Sequence, residues 1–273
     1  MTAIRRVRVM GVVNVTPDSF SDGGQFASRS EALAHARRLI AEGADMLDIG
    51  GESTRPGAEP VAEAEEISRT AALIAAIRAE SDIPISIDTM KPGVARAAVA
   101  AGATIWNDVT ALSGAAESLE TAAELGCQVV LMHMQGEPRT MQAAPHYDDV
   151  VAEVAEGLSA RVAAALAAGV RRDAIWVDPG VGFGKHPLRH NLPLLAGLDR
   201  IVALGFPVLL GVSRKSFIGL LDPLSAGPRQ RLGGSLAAAL KGASAGVAAV
   251  RVHDVRDTAQ ALAVWSAIEA GGA

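Results

Sequence analysis

Short apolar segments alternate along this chain with amphipathic helical segments, and the same junction between them recurs. A helical segment ends at a glycine and a short apolar run follows, as in 42–50, 100–108, 124–132 and 244–252. Glycine at a helix C-terminus adopts the left-handed conformation that ends the helix. Strands that alternate with helices in this way predict a parallel sheet covered by helices.

The alternation continues through all 273 residues of the chain. The predicted strands lie near 8–13, 45–50, 84–88, 104–107, 128–133, 175–178, 207–212 and 247–252. Eight strand–helix units favour a closed barrel over an open doubly wound sheet, and no Gly-rich nucleotide fingerprint follows the first strand. We therefore predict the α/β class and one (β/α)8 TIM barrel domain over residues 1–273, with its site at the carboxyl ends of the strands.

Three local patterns predict details of the helices. One apolar face is predicted for a helix over about 147–168, formed by Val151, Val154, Leu158, Val162 and Leu166. Ser28 and Glu31 have the spacing of a capping box, which predicts that the first helix begins near Ser28. Pro92 is expected in the first turn of the third helix, where its missing N–H is not needed.

Composition narrows the class of protein. Apolar residues make up 49% of the chain, and charges of both signs are interspersed to a net charge of −5. We therefore expect neither a nucleic-acid partner nor a membrane partner. Cys127 is the single cysteine, so no intrachain disulfide can form, and a reducing cytoplasm is the expected location.

Polar side chains follow every predicted strand where it ends. They include Asn14, Glu52, Asp88, Asn107, His133, Asp178, Lys215 and His253. An aspartate at a strand end is a cap for the next helix about as often as it is a binding residue. That alternative stays open for Asp88 and Asp178. His133 alone is expected to be a hydrogen-bonded residue at the edge of the core. Capping does not explain eight polar ends at one barrel mouth, so we predict a binding site there.

The polar residues suit a flat heterocycle with neighbouring N–H donors. A carboxylate such as Asp88 or Asp178 can accept two parallel hydrogen bonds, as it does from arginine. The amide of Asn107 adds a donor and an acceptor, and Lys215 could donate to an oxo group. A pterin ring presents this set of groups along one edge.

A second set of residues suits an anionic leaving group and a carboxylate. Arg55, Arg251 and His253 offer donors and positive charge to an anion. Asn14 offers a hard oxygen to Mg²⁺, which usually keeps waters and substrate phosphate in its coordination shell. Ser216 lies where a helix should begin after the seventh strand, and its N–H and hydroxyl could hold a carboxylate.

Other chemistries were weighed for the same residues. Lys215 could form a Schiff base, but it follows Arg214 in a polar loop rather than in an apolar strand, where desolvation would lower its pKa. The six histidines show no His-x-x-x-His spacing, which disfavours a zinc site. The segment 182–185 (GFGK) is only a fragment of a phosphate-loop pattern.

Long segments of the chain resemble the signatures of the dihydropteroate synthases. These are MGVVNVTPDSFSDGG (10–24), DIGGESTRPGA (48–58), IWNDVTAL, DPGVGFGK, LLGVSRKSF and VRVHDV, in the order of that family. The resemblance implies a transferase of folate biosynthesis, and a target of sulfonamides. Its substrates would be 6-hydroxymethyl-7,8-dihydropterin pyrophosphate and para-aminobenzoate. It also implies Mg²⁺ as cofactor and a homodimer.

The resemblance also implies a role for each matching position. Asn14 matches the Mg²⁺ ligand. The pterin-binding positions are Asp88, Asn107, Asp178 and Lys215. The residues that hold the pyrophosphate ester are Thr54, Arg251 and His253. The positions beside the aminobenzoate ring and its carboxylate are Phe183 and Ser216.

Two loops, 14–27 and 51–60, are implied to close over the site. They carry Phe20, Asp22, Arg55 and Pro56. Asp22 is expected to contact either Mg²⁺ or Arg55, and the sequence does not choose between them. The residues expected to take part in catalysis are Asp22, Arg55, Lys215, Arg251 and His253.

Two rival functions share parts of this pattern. A pterin-binding methyltransferase barrel would use the same Asp and Asn contacts, but it would not need the segment 213–216 or the pair Arg251 and His253. A catalytically silent paralogue would show a damaged loop or a missing leaving-group site, and the sequence shows neither.

The loop residues generate a prediction about binding order. Because the aminobenzoate pocket is drawn from the loops, it should be complete only after a pterin, pyrophosphate and Mg²⁺ have ordered them. We expect negligible sulfonamide binding to the free protein in a titration, and clear binding when those three are present. Equal sulfonamide affinity with and without pyrophosphate and Mg²⁺ would contradict ordered assembly.

Overall fold

The computed structural model describes residues 6–15, 24–53, 59–137 and 140–271, with the backbone alone for 24–28. Within these residues the chain forms eight strands. They are β1 (Arg8–Asn14), β2 (Met46–Gly50), β3 (Ile85–Asp88), β4 (Ile105–Asp108), β5 (Gln128–Met132), β6 (Ile175–Asp178), β7 (Leu209–Gly211) and β8 (Ala249–Val252). The number and the order of the predicted strands are thus confirmed.

The strands form one parallel sheet that curls into a barrel. Their order in the sheet is β6-β5-β4-β3-β2-β1-β8-β7, so sequence neighbours are also spatial neighbours. The ring closes between β6 and β7 through a single parallel bridge, Val177 to Val208. The predicted (β/α)8 TIM barrel is therefore confirmed, because a parallel sheet with its two ends joined has no free edge.

Helices connect the strands around the outside. They are α1 (Gly24–Ala41), α2 (Glu63–Arg78), α3 (Pro92–Ala100), α4 (Ser118–Leu125), α5 (Val150–Ala167), α6 (Asn191–Ala196), α7 (Leu198–Val202), α8 (Ser216–Leu221), α9 (Leu232–Ala245) and α10 (Val255–Glu269). Short 3-10 turns lie at Arg172–Ala174, Pro223–Ser225 and Pro228–Gln230. Within the described residues, no helix combines the length and apolar character that a membrane span requires.

Two helix predictions were wrong in part. The helix α1 already begins at Gly24, so Ser28 and Glu31 lie inside it and cannot form its capping box. Leu166 is 37% exposed, although the other four apolar positions of α5 are buried. Pro92 is the first residue of α3, as predicted.

The barrel interior changes from apolar to polar along the strands. Its lower layer is apolar and is formed by Met10, Met46, Ile105, Val130, Trp176, Leu209 and Ala249. Two residues further along β2 and β8, the positions on the same face carry Asp48 and Arg251. The apolar layer fills the bottom of the barrel, so a ligand can enter only from the carboxyl ends of the strands.

A row of four residues lies across neighbouring strand ends. The register pairs Asn14 with Gly50, Gly50 with Asp88, and Asp88 with Asn107. Gly50 has no side chain, and a Cβ atom there would lie 3.6 Å from Asn14 Oδ1 and 3.8 Å from Asp88 Oδ2. The glycine thus leaves open space between two polar side chains at the barrel mouth.

The stability of α5 provides a test of the local structure. Asp149 caps this helix, because its Oδ1 accepts hydrogen bonds from the N–H groups of Val151 and Ala152 at 3.0 Å. We expect Asp149→Ala to lower the free energy of unfolding by about 1 kcal/mol in urea denaturation. Asp148→Ala is the matched control, because the Asp148 side chain is 97% exposed. Equal losses in the two variants would contradict the cap.

Candidate active site

Three charged side chains from three strands meet inside the barrel. Arg251 donates from Nε to Asp48 at 2.5 Å and from Nη2 to Asp88 at 2.8 Å. Asp48 is fully buried, and the Asp88 side chain is 11% exposed. Among the described residues, neither Asp48 Oδ1 nor Asp88 Oδ1 has a hydrogen-bond partner, although both are buried. Such oxygens need a partner, and Asp88 Oδ1 lies at a strand end where a ligand can supply one.

One guanidinium thus serves two carboxylates. Burial and, after it, the Asp48 carboxylate raise the pKa of Asp88 to about 7, although Arg251 opposes both effects. Burial disfavours the charge of Arg251, but Asp48 and Asp88 outweigh this and raise its pKa. Arg251 therefore stays charged, and Asp88 titrates near neutral pH. Asp88 caps no helix, because α3 begins after Lys91.

A second carboxylate and a lysine lie on the β6 and β7 side of the mouth. Asp178 is buried, and its Oδ1 accepts the N–H of Gly180 at 2.7 Å. Burial raises the pKa of Asp178, against the opposing effects of Gly180 and Lys215. The bond to Gly180 stabilises a turn and is not a helix cap, so the capping alternative does not hold for Asp178 either.

Lys215 is desolvated, contrary to the prediction that it stays in a polar loop. Burial lowers the pKa of Lys215 to about 8, although Asp178 acts in the opposite direction. The chain turns sharply just before it, because Arg214 adopts a φ of 59°. Lys215 Nζ lies 4.5 Å from the ring centroid of Phe183, in cation–π contact. The polarity of the loop sequence did not reveal this burial.

A buried ammonium organises the loop that carries Phe183. Lys185 Nζ donates to the carbonyls of His133 and Gly180 at 3.1 Å and to that of Phe183 at 3.0 Å, and it also contacts His133 Nδ1 at 3.1 Å. Burial and the nearby Lys185 lower the pKa of His133 to about 3, so its imidazole is neutral. His133 is therefore a hydrogen-bonded residue at the edge of the core, as predicted. Lys185 is occupied by carbonyls, which removes the phosphate-loop alternative for GFGK.

Left-handed glycines allow this loop to pack closely against its neighbour. Gly180 has a φ of 65° and Gly184 a φ of 57°. A Cβ atom on Gly180 would overlap the carbonyl of His133, and one on Gly184 would overlap backbone atoms of Gln135. The glycines of DPGVGFGK are therefore needed for the shape of the loop.

Two amides at the mouth have no hydrogen-bond partner among the described residues. Within the described part of the chain, the side chains of Asn14 and Asn107 form no hydrogen bond. Asn107 is 5% exposed. A nearly buried amide without hydrogen bonds lowers the stability of the fold unless a ligand supplies those bonds. Asn107 thus adds a donor and an acceptor beside Asp88, its partner in the strand register.

The loop after β7 is tied to the end of β8. Arg214 forms a two-point ion pair with Asp254, at 3.0 Å from Nε and 2.5 Å from Nη2. Ser213 Oγ lies 3.0 Å from His253 Nδ1. Ser216 is exposed and is the first residue of α8, as predicted. These contacts bring Lys215 and His253 to the same side of the mouth.

Comparison with known proteins decides the family. The model of the family "Pterin binding enzyme" matches residues 10–253. The dihydropteroate synthase of Escherichia coli strain K12 is 49% identical over 259 residues, which cover 95% of this chain and 90% of that protein. The chain belongs to the dihydropteroate synthase family.

Solved structures of dihydropteroate synthases share the fold. The enzyme of Xanthomonas albilineans with 4-aminobenzoic acid has a TM-score of 0.91 and 52% identity, and the match covers 98% of this chain and 94% of that one. The same enzyme in complex with 7,8-dihydropteroate has a TM-score of 0.88 and 49% identity, with 99% and 96% covered. The dihydropteroate synthase barrel is thus matched over nearly its whole length.

The structure brings most of the predicted site residues together at one mouth. The described ones are Asn14, Asp88, Asn107, Asp178, Phe183, Lys215, Ser216, Arg251 and His253. Asp22, Thr54 and Arg55 lie outside the described residues, as do Phe20 and Pro56. Their implied roles in dihydropteroate synthesis therefore stay predictions.

Two buried groups of this site, Asp48 and Lys185, were not predicted from the sequence. Asp48 lies in the interior of β2, one position before an isoleucine, and a charged residue there is unusual for a strand buried on both faces. That anomaly was a usable signal. Lys185 stands in the sequence as the last residue of the phosphate-loop fragment GFGK. No pattern in the sequence indicates that its ammonium is enclosed by carbonyls.

Asp178 offers a test of the pterin pocket expected in a dihydropteroate synthase. Asp178→Asn keeps an oxygen for Gly180 but turns the other acceptor into a donor that faces the donors of the pterin edge. It also removes the charge that favours protonated Lys215. We expect about a hundredfold weaker pterin binding by calorimetry. Asp173→Asn, at a side chain that is 78% exposed, is the control. Unchanged pterin affinity in Asp178→Asn would refute the assignment.

Proposed function

We propose that this chain condenses 6-hydroxymethyl-7,8-dihydropterin pyrophosphate with para-aminobenzoate to give 7,8-dihydropteroate and pyrophosphate. The observation that carries the proposal is the set of unsatisfied polar groups at the barrel mouth of a dihydropteroate synthase family member. A structural neighbour that matches 99% of this chain holds 7,8-dihydropteroate. The alternative of a methyltransferase barrel loses its support, because the matched relatives are dihydropteroate synthases.

The pterin would bind against the strand ends. Asp178 accepts from the 2-amino and 3-NH groups with its free lone pairs, and Lys215 donates to the 4-oxo group. Asp88 Oδ1 and the Asn107 amide complete the contacts along the remaining edge. The open space above Gly50 and Gly211 accommodates the ring, since neither glycine places a side chain there.

The pyrophosphate would lie beside β8. Arg251 lies on β8, and His253 directly follows the end of that strand. Arg251 uses Nε and Nη2 on Asp48 and Asp88, which leaves Nη1 for an anion. Thr54 and Arg55 are proposed to add contacts to the leaving group. These donors stabilise the charge that develops on the departing oxygen.

Mg²⁺ is proposed as the cofactor, and the residues present are compatible with it. Among the described residues, no group of three His, Cys, Asp or Glu side chains could hold a metal ion by itself. The amide of Asn14 offers one hard oxygen that has no hydrogen-bond partner in the described part of the chain, which suits an ion completed by waters and substrate phosphate. When bound there, Mg²⁺ would neutralise pyrophosphate charge. Asp22 is proposed either to join this site or to contact Arg55.

The reaction breaks one bond and forms one. The bond from the pterin methylene to the pyrophosphate oxygen breaks, and the electron pair leaves with the pyrophosphate. The pterin ring delocalises the developing positive charge on the methylene. The amine of para-aminobenzoate then attacks the methylene and loses a proton, which is released to solvent with the products. Its neutral nitrogen needs no strong base, which agrees with a site whose carboxylates are engaged by other groups.

The aminobenzoate would lie between the mouth and the loops. Phe183 is positioned by the Lys185 network and lies against the Lys215 ammonium. Its ring offers an apolar face to the aminobenzoate ring. Ser216 at the start of α8 offers an exposed hydroxyl to the carboxylate. Loops 14–27 and 51–60 are proposed to close the pocket and exclude water, which would otherwise attack the cation.

A homodimer in the cytoplasm is proposed as the working state. Large apolar side chains are exposed on the barrel exterior, with Leu220 at 56%, Leu221 at 58% and Leu224 at 88% exposure. Val264 and Ile268 on α10 are exposed at 56% and 69%. Exposed apolar groups of this size are typical of an interface between subunits.

Release of pyrophosphate tests the function. Release should require the dihydropterin substrate and should rise when para-aminobenzoate is added, and a protein that binds pterin without any turnover would be a silent paralogue. Arg251→Lys is the informative variant, because Arg251→Ala would leave two buried carboxylates unpaired. We expect Arg251→Lys to lower kcat/KM by at least about tenfold, because lysine lacks the two-point geometry. Its affinity for a pterin without pyrophosphate should change much less, and equal losses would refute the leaving-group role.

A further inference from the structure

A serine hydroxyl couples the loop after β7 to the imidazole at the end of β8. Ser213 is 7% exposed. Its Oγ accepts the backbone N–H of His253 at 3.2 Å and lies 3.0 Å from Nδ1 of the same residue. Within the described part of the chain, this hydroxyl forms no other hydrogen bond. Ser213 therefore has both of its polar contacts on His253.

The Ser213 hydroxyl has one proton to donate, and only one protonation state of His253 Nδ1 provides an acceptor for it. If Nδ1 carried a proton, it would donate to Oγ, which already accepts from the backbone, and the hydroxyl proton would be buried without an acceptor. If Nδ1 is unprotonated, the hydroxyl donates to it, and the hydroxyl proton has an acceptor. A buried donor without a partner costs about 1–3 kcal/mol. The second arrangement is therefore strongly favoured.

The surrounding contacts hold the serine in place. Arg214, the next residue, donates its backbone N–H to Ser235 Oγ at 2.9 Å. Its guanidinium holds Asp254, which directly follows His253 in the chain. Arg231 Nη1 donates to the Arg214 carbonyl at 3.0 Å. The backbones on both sides of the Ser213–His253 contact are thus tied together, so the hydroxyl cannot easily move away from the ring.

We propose that Ser213 is a positioning residue that keeps His253 in the neutral tautomer with its proton on Nε2. The inference rests on the proposed function, in which His253 contacts the pyrophosphate ester. In this tautomer Nε2 donates a hydrogen bond to a phosphate oxygen, and a lone pair never faces the anion. No proton is transferred, and pyrophosphate leaves with the electron pair of the broken carbon–oxygen bond.

The same contact explains why His253 would act as a neutral imidazole and not as an imidazolium. An imidazolium at His253 would require Nδ1 to donate, and the Ser213 hydroxyl would then have to turn away into a buried, unpaired position. The leaving oxygen needs stabilisation of its charge but not protonation. Ser213 thus links the loop that carries Lys215 to the leaving-group site, because only Arg214 lies between Ser213 and Lys215 in the chain.

Nitrogen NMR on histidine-labelled protein tests the tautomer directly. The His253 signals are assigned by their loss in His253→Gln, and long-range proton–nitrogen correlations distinguish the two neutral tautomers. We expect the proton on Nε2 in the native protein at neutral to slightly alkaline pH. A proton on Nδ1 would overturn the proposal, and this measurement needs no folded variant of Ser213.

Two variants separate positioning from simple support of the loop. In Ser213→Ala we expect a mixture of tautomers and about a tenfold lower kcat/KM for the pyrophosphate substrate, with nearly unchanged affinity for a pterin that lacks pyrophosphate. Ser213→Thr keeps the hydroxyl and should retain the Nε2 tautomer and most of the activity. Ser235→Ala is the matched control, since it loosens the same loop without contacting His253.

The outcomes distinguish the inference from the proposed function. If the native protein makes no dihydropteroate from both substrates, the proposed function fails whatever the tautomer is. If the native protein turns over but Ser213→Ala keeps both the Nε2 tautomer and full kcat/KM, only the inference fails. Tautomer mixing in Ser235→Ala equal to that in Ser213→Ala would also overturn it, because the loop and not the hydroxyl would then be responsible.

Discussion

The contact of Arg251 with Asp48 and Asp88 is the constraint on which this site depends. Asp48 is fully buried above an apolar layer, where a carboxylate without a counter-charge is very costly. Arg251 reaches it from β8 and Asp88 from β3, so the guanidinium joins strands that are far apart in the chain. The last strand, β8, must pair with β1 for these three residues to meet. Assembly of the site thus depends on the pairing of the last strand with the first.

The other charged side chains at the mouth also lie close to groups of opposite charge or to carbonyls. Asp178 faces Lys215, whose pKa burial lowers to about 8, and Lys185 is enclosed by three carbonyls close by. Asp178 and Lys215, unlike Lys185, leave part of their hydrogen-bonding capacity unused. Unsatisfied polar atoms in a rigid mouth are pre-organised for a ligand, because no internal bond has to break before binding. The barrel pays for this readiness in stability.

The two halves of the site are built differently. The half proposed to bind the pterin consists of residues at strand ends, and the backbone hydrogen bonds between the strands fix their positions. The leaving-group and aminobenzoate half draws on the segments after β7 and β8, and these are held by side-chain contacts such as Arg214 with Asp254. Left-handed backbone at Gly180, Gly184 and Arg214 shapes the connecting turns. Specific side chains, more than regular structure, therefore orient Phe183, Lys215 and His253.

The sequence by itself determined the barrel, its eight strands and the residues at their ends, because hydrophobic periodicity and glycine positions are local properties of the chain. It also indicated the family, since the long motifs are contiguous. Only the tertiary structure decided which polar groups pair with each other. Asp48 with Arg251, Lys185 with three carbonyls, Ser213 with His253 and the desolvation of Lys215 all depend on contacts between segments that are distant in the chain or on burial. Local patterns carry no record of either, so these features could not be predicted from the sequence.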